Sequence, residues 1–189
     1  MDANEYSDEY EDSEICYDCD NNCSECICKF ETIPKPLKPN RTRLKCGMPS
    51  GPIVFPVGTL TGVTFTLATV NADTKGMNLS CIQLEFATNI ITTAAAAIIL
   101  NFQIFKQCRN QITPVPVGPI WTFSPPTGVT EGNTISNTFS FYVCDCDTTC
   151  NECCYYRVVV TQAGATTTGI TTINNPSLAA IIVDGTCNY

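Results

Sequence analysis

Residues 97–108 read AIILNFQIFKQC. Ile98, Leu100, Phe102 and Ile104 alternate with Asn101 and Gln103, a period of two that sends successive side chains to opposite faces of an extended chain. That period predicts a half-buried antiparallel strand. The pattern spreads outward in both directions. GVTFTLATV at 62–70 sets Val63, Phe65 and Leu67 against Thr64, Thr66 and Ala68, and NTFSFYVC at 137–144 alternates through Phe139, Phe141 and Val143. SCIQLEFAT at 80–88, IWTFS at 120–124, CYYRVVVTQ at 154–162 and SLAAIIVD at 177–184 make seven such segments, separated by Gly, Pro and Asn clusters, in a domain expected to hold about eight strands. The expected fold is all-β: an antiparallel β-sandwich of jelly-roll type with an extended N-terminal arm.

The 189 residues suit one core, which we expect at 46–189. Two segments of different chemistry precede it. Residues 1–30 hold ten of the eighteen acidic residues and five cysteines with almost no aliphatic content, so this arm cannot build a core alone. Residues 31–45, ETIPKPLKPNRTRLK, carry three prolines and most of a basic block, and read as an extended linker reaching roughly 45 Å at about 3.1 Å per residue. A net charge of -8 argues against nucleic acid as a partner, because phosphate neutralisation needs clustered Lys and Arg. The longest apolar run, AAAAIIL at 94–100, is too short to cross a bilayer, so no membrane span is expected. The first sixteen residues, MDANEYSDEYEDSEIC, have neither the basic start nor the apolar stretch of a secretory signal peptide. The cysteine usage nevertheless points to an oxidising destination. A processed chain, or a deposit released when a sporulating mother cell lyses, reconciles the two.

There is no histidine. That excludes Ser-His and Cys-His nucleophilic pairs, His-ligated metal sites and the commonest general base. Asp145 and Asp147 are the nearest thing to paired catalytic carboxylates, but beside cysteines they read as solvation of an exposed turn. We expect no enzyme and no catalytic residue.

The chemistry lies in fourteen cysteines. The pattern C-D-x-x-C-x-E-C occurs twice, at 19–26 and 146–153. Cys16, Cys19, Cys23, Cys26 and Cys28 form one cluster, Cys144, Cys146, Cys150, Cys153 and Cys154 another, and Cys46, Cys81, Cys108 and Cys187 stand singly. The singles read as structural cysteines within the sandwich. For the clusters three readings stand open: thiolate sites for zinc or iron-sulfur using Cys19, Cys23, Cys26, Cys146, Cys150 and Cys153; local disulfides; or pairing between clusters, within or between chains. On a continuing strand Cys144 and Cys146 project to one face. Cys153 and Cys154 face opposite ways, so at least one bonds outside its own cluster.

LKCGMPSG at 44–51, IQLEFATNII at 82–91, NFQIFKQCRNQITPVPVGPIWTFS at 101–124, FYVCDCD at 141–147, YRVVVT at 156–161 and INNPSLAAIIV at 173–183 resemble a family of cysteine-rich domains of unknown function common in clostridia and other spore-forming anaerobes. In architecture the chain is also similar to the subunits of endospore appendages, pilus-like fibres in which a jelly-roll domain carries an N-terminal arm. This resemblance implies a structural, self-assembling subunit of an extracellular fibre at a spore or cell surface, whose partner is itself in a homopolymeric helical fibre. It implies that Cys16, Cys19, Cys23, Cys26 and Cys28 are the inter-subunit disulfide donors and Cys144, Cys146, Cys150, Cys153 and Cys154 the acceptors, with no cofactor. Two alternatives are a Cys-thiolate metal-binding or redox surface module and a spore-coat ligand-binding domain. Clustered exposed aromatics would mark the latter, yet Trp121 is the only tryptophan and IWTFS reads as core.

Overall fold

The computed structural model describes residues 42–75, 77, 80–93, 98–109, 111–125, 133–146, 153–164 and 169–184. All of them belong to the second of two units into which the chain divides, Asn40–Tyr189. Ten strands follow in order: β1 Thr42–Cys46, β2 Met48–Pro49, β3 Ile53–Phe55, β4 Thr64–Ala72, β5 Ser80–Thr93, β6 Leu100–Cys108, β7 Val115–Phe123, β8 Thr134–Asp145, β9 Cys154–Gln162 and β10 Ile170–Asp184. One sheet runs β1-β10-β5-β8, with β3 also on β10, and the other β2-β4-β9-β6-β7. The pairs nest: β1 with β10, β4 with β9, β5 with β8 and β6 with β7, all antiparallel and alternating between the two sheets. A long antiparallel ladder rolled up in this way is a jelly roll, the arrangement expected from the sequence.

Alternation builds the interior. Along β6 every second residue, Leu100, Phe102, Ile104, Lys106 and Cys108, is buried. Phe86, Phe102, Phe139 and Phe141 cluster between the sheets, and Trp121 stacks on Phe141 with centroids 4.1 Å apart and planes 12° from parallel. Each such aromatic pair contributes about 0.5–1.5 kcal/mol beyond its buried area. Trp121 and Phe141 belong to β7 and β8, so this stack closes one side of the sandwich.

Three departures from the sequence reading have local causes. Thr42–Lys45, assigned to the linker, form most of β1, because no proline follows Pro39 until Pro49 and the backbone amides are free to pair with Ala180–Val183. Ala68, assigned to the polar face of its strand, is buried, because a register shift between Thr66 and Ala68 turns the rest of β4 over. The strand expected at 177–184 is the second half of a longer one, β10, which starts at Ile170 and runs through the bulge: Asn175 takes φ 50 and Pro176 sits in the shift between Asn174 and Ser177. Gly47 marks where the chain crosses from one sheet to the other between β1 and β2. Its amide donates to Leu178 O at 2.7 Å, and a Cβ there would collide with the backbone oxygens of Thr69 and Leu178.

Candidate functional site

The chemistry-bearing side chains concentrate at one end of the sandwich, where β8 hands over to β9. Cys146, just past β8, is bonded to Cys81 of β5 over 65 residues of chain. Both sulfurs belong to the outer face of the β1-β10-β5-β8 sheet, since β5 turns Ile82, Leu84 and Phe86 inward. Cys154 is bonded to Cys108 across the β9–β6 pair, and both residues are buried between the sheets, at 3% and 6% exposure.

Two members of the expected acceptor set, Cys146 and Cys154, are therefore already in disulfides within the domain: Cys154 with the cysteine directly opposite it on β6, and Cys146 with Cys81, just past the last pair of the β5–β8 ladder, Ile82 with Asp145. A disulfide sulfur is not a thiolate, so Cys146 bonded to Cys81 is not a metal ligand in this state. Among the described residues no group of three or more Cys, Asp or Glu is placed to hold a metal ion. Cys144 is an exposed thiol on β8. Cys153 is exposed and hydrogen bonded to Asp73. Cys46, expected as an intradomain structural cysteine, is instead an exposed thiol, because its neighbours across the outer face are Ala179 and then Glu85. Cys16, Cys19, Cys23, Cys26, Cys28, Cys150 and Cys187 lie outside the described residues, as do the arm at 1–30 and the linker up to residue 41.

Registers place the two exposed thiols of this face. Cys46, Ala179, Glu85 and Tyr142 form one row across four strands, and Leu44, Ile181, Gln83 and Cys144 the next. Three strand spacings separate β1 from β8, about 14 Å at roughly 4.8 Å each. A disulfide needs Cα atoms within about 7 Å, so Cys46 and Cys144 of one chain do not bond to each other. A groove of about 1100 Å³ is lined by Cys46 of β1, Ala179 and Ser177 of β10, Ala87 of β5, Ser140 and Tyr142 of β8, and Pro119 and Trp121 of β7.

Beneath the same end lies a buried polar group that sequence reasoning missed. Lys106 Nζ is 2.9 Å from Asp145 Oδ2, and the Tyr156 hydroxyl donates to that oxygen at 2.7 Å. Asp145, read from sequence as solvation of an exposed turn, is an inward-facing residue at the end of β8. Nearby, Asp73 accepts from the Lys75 amide at 2.9 Å. That bond, with the Cys153 side chain and then the charges of Arg43 and Lys75, holds its carboxyl below the usual range against some desolvation.

The sheet edges differ. β7 carries Pro116, Gly118 and Pro119, β1 carries Arg43 and Lys45, and β2 and β3 have two and three residues. Prolines, charges and shortness are the ordinary guards against edge pairing. β8 has twelve residues, TISNTFSFYVCD, with no proline and no charge before Asp145, and among the described residues its sole ladder partner is β5. This edge runs toward Cys144 and the Cys81–Cys146 bond.

Solved structures with similar architecture include infectious bursal disease virus Gt strain, at 14% identity and TM-score 0.48, covering 86% of this chain and 39% of that one. The VP2 subviral particle of the same virus matches at 14% identity and TM-score 0.47, with 86% and 39% covered. A carbohydrate-binding module of the β-sandwich superfamily matches at 8% identity and TM-score 0.26, over 75% of this chain and 54% of that one. The chain thus spans about two fifths of the viral chains, at 39%. No curated protein matches it. Residues 40–183, which take in all the strands but the last residue of β10, match the model of a domain of unknown function, DUF4489, and the chain belongs to that family.

Proposed function

We propose that the chain is a structural, self-assembling subunit of an extracellular fibre of endospore-surface type, joined to its neighbours by strand addition and by disulfides from the N-terminal arm. The observation that carries this reading is β8: a twelve-residue edge without guards that leads to an exposed thiol and an outer-face disulfide. Backbone pairing along such an edge supplies association. A covalent bond between subunits then prevents dissociation, an effect on kinetics more than on affinity. Five cysteines on an acidic arm supply the donated sulfurs, and the basic residues at 35–45 of a neighbour offer charge complementarity that sets register.

The test is a denaturing gel of alkylated protein with and without strong reductant. High-mass species that collapse to 20.5 kDa only on reduction are expected. A single 20.5 kDa band under both conditions overturns covalent assembly. Removal of residues 1–30 is expected to leave a folded domain that forms no boiling-resistant fibres, and intact resistant fibres from that deletion would contradict the role of the arm.

A further inference from the structure

The outer face of the β8 sheet holds sulfur in two oxidation states side by side. Cys144 is a thiol, while Cys146, two residues on and projecting to the same face, is already in a disulfide with Cys81. The difference decides which of them can capture an incoming thiol. Joining two thiols removes two electrons and needs an oxidant. Attack of a thiolate on a disulfide needs none. Access separates the two disulfides as well: Cys108–Cys154 is buried between the sheets, whereas Cys81 and Cys146 are half-buried on the outer face, and Cys146 stands beyond the last paired residue of β8, Asp145.

We infer that the Cys81–Cys146 bond is the covalent acceptor, and that it captures a cysteine of a second copy's N-terminal arm by thiol–disulfide exchange. This rests on the assembly reading above and names its bond-forming step. The thiolate of the arriving cysteine attacks Cys146 Sγ. The new sulfur–sulfur bond forms as the Cys81–Cys146 bond breaks, and the electron pair of the broken bond leaves on Cys81, which takes a proton from water. One thiol is consumed and one released, so the step balances without an external oxidant. Cys146 is the attacked sulfur because it stands past the end of β8, outside any ladder, while Cys81 lies within β5 and is paired with Val183 of β10. Attack there leaves both ladders of β5 intact. β8 is the edge on which the arriving chain pairs, so strand addition brings its cysteines along β8 to this bond.

The experiment uses the full chain with Cys16, Cys19, Cys23, Cys26 and Cys28 changed to Ser, and as probe a synthetic peptide of residues 16–28 that keeps Cys23 and carries Ser at the other four cysteines. The two are mixed without oxygen or added metal, quenched with alkylating agent and mapped by mass spectrometry. Expected is one peptide per chain attached at Cys146, alkylation newly appearing at Cys81, an intact Cys108–Cys154 bond, and a rate rising about tenfold per pH unit below the thiol pKa. Absence of an adduct, or an adduct at Cys144 or Cys46 that forms only with an added oxidant, overturns the inference. In the otherwise native chain, Cys81→Ser with Cys146→Ser separates this step from the assembly reading. Loss of reduction-sensitive polymers, with cooperative unfolding retained, supports exchange. Undiminished polymers overturn exchange and leave covalent assembly standing. A native chain that never polymerises overturns the assembly reading, and the peptide experiment then decides the chemistry of the bond by itself.

Discussion

Lys106 occupies a position where the alternation of β6 calls for an aliphatic side chain. The parity that buries Leu100, Phe102 and Ile104 was plain in the sequence and carries on to Lys106 and Cys108, so the lysine's inward direction was legible. Its partner was not, because pairing it with Asp145 requires knowing that β8 of one sheet ends over β6 of the other. Removing one member of a buried ion pair leaves the other charge uncompensated, at a cost of about 3–5 kcal/mol. Lys106→Met is therefore expected to lower unfolding free energy by about that much in a urea titration. The triple change Lys106→Met, Asp145→Leu and Tyr156→Phe removes both charges and the hydroxyl together, and is expected to recover most of the loss. Asp73 gives a pH signature at the same end. Its folded pKa is depressed, first by the Lys75 amide, so its contribution is present above the unfolded value and is lost as pH falls through the folded one. The stability difference between wild type and Asp73→Asn should be constant from about pH 5 to 8 and shrink below about pH 4.

At the scale of the strand, the strongly alternating segments were legible and the irregular ones were not. The core of β5, β6, β8 and β9 follows from a period of two. The bulges of β4 and β10 do not, because a bulge costs one residue of register and its signature, a Thr-rich run or Asn-Asn-Pro, also fits a turn. The short strands β1, β2 and β3 carry too few residues for any period and are recruited by β10 and β4. β8 permits a direct test of edge pairing. Thr138 and Ser140 are exposed residues of that strand, and lysine on an edge strand repels a second strand without touching the core. Thr138→Lys with Ser140→Lys should leave the unfolding free energy within about 1 kcal/mol of wild type and abolish fibres in negative-stain micrographs. Wild-type fibres from this variant would place the contact elsewhere.

For the whole molecule, the sandwich and its jelly-roll class were legible because every long strand bears one apolar face, and such faces have to be covered by a second sheet. The cysteine network was legible only in part. Spacing revealed that Cys153 and Cys154 point apart, but the pairing of Cys146 with Cys81 and of Cys154 with Cys108 depends on strand order, which spacing does not carry. Strand order also has a consequence for the assembly proposed above. The arm leads into β1 at one edge of its sheet, and the unguarded strand β8 is the other edge of that same sheet. A link made this way joins two unlike surfaces, and repeated it gives a directional array: an open filament, or a ring if the rotation closes. An open filament then has two chemically different tips, one with a spare arm and one with an unoccupied β8. In the assembly proposed above, a subunit without residues 1–30 would seat its β8 on the last spare arm and offer none of its own, so the filament would end there, and the proportion of such subunits would set its length.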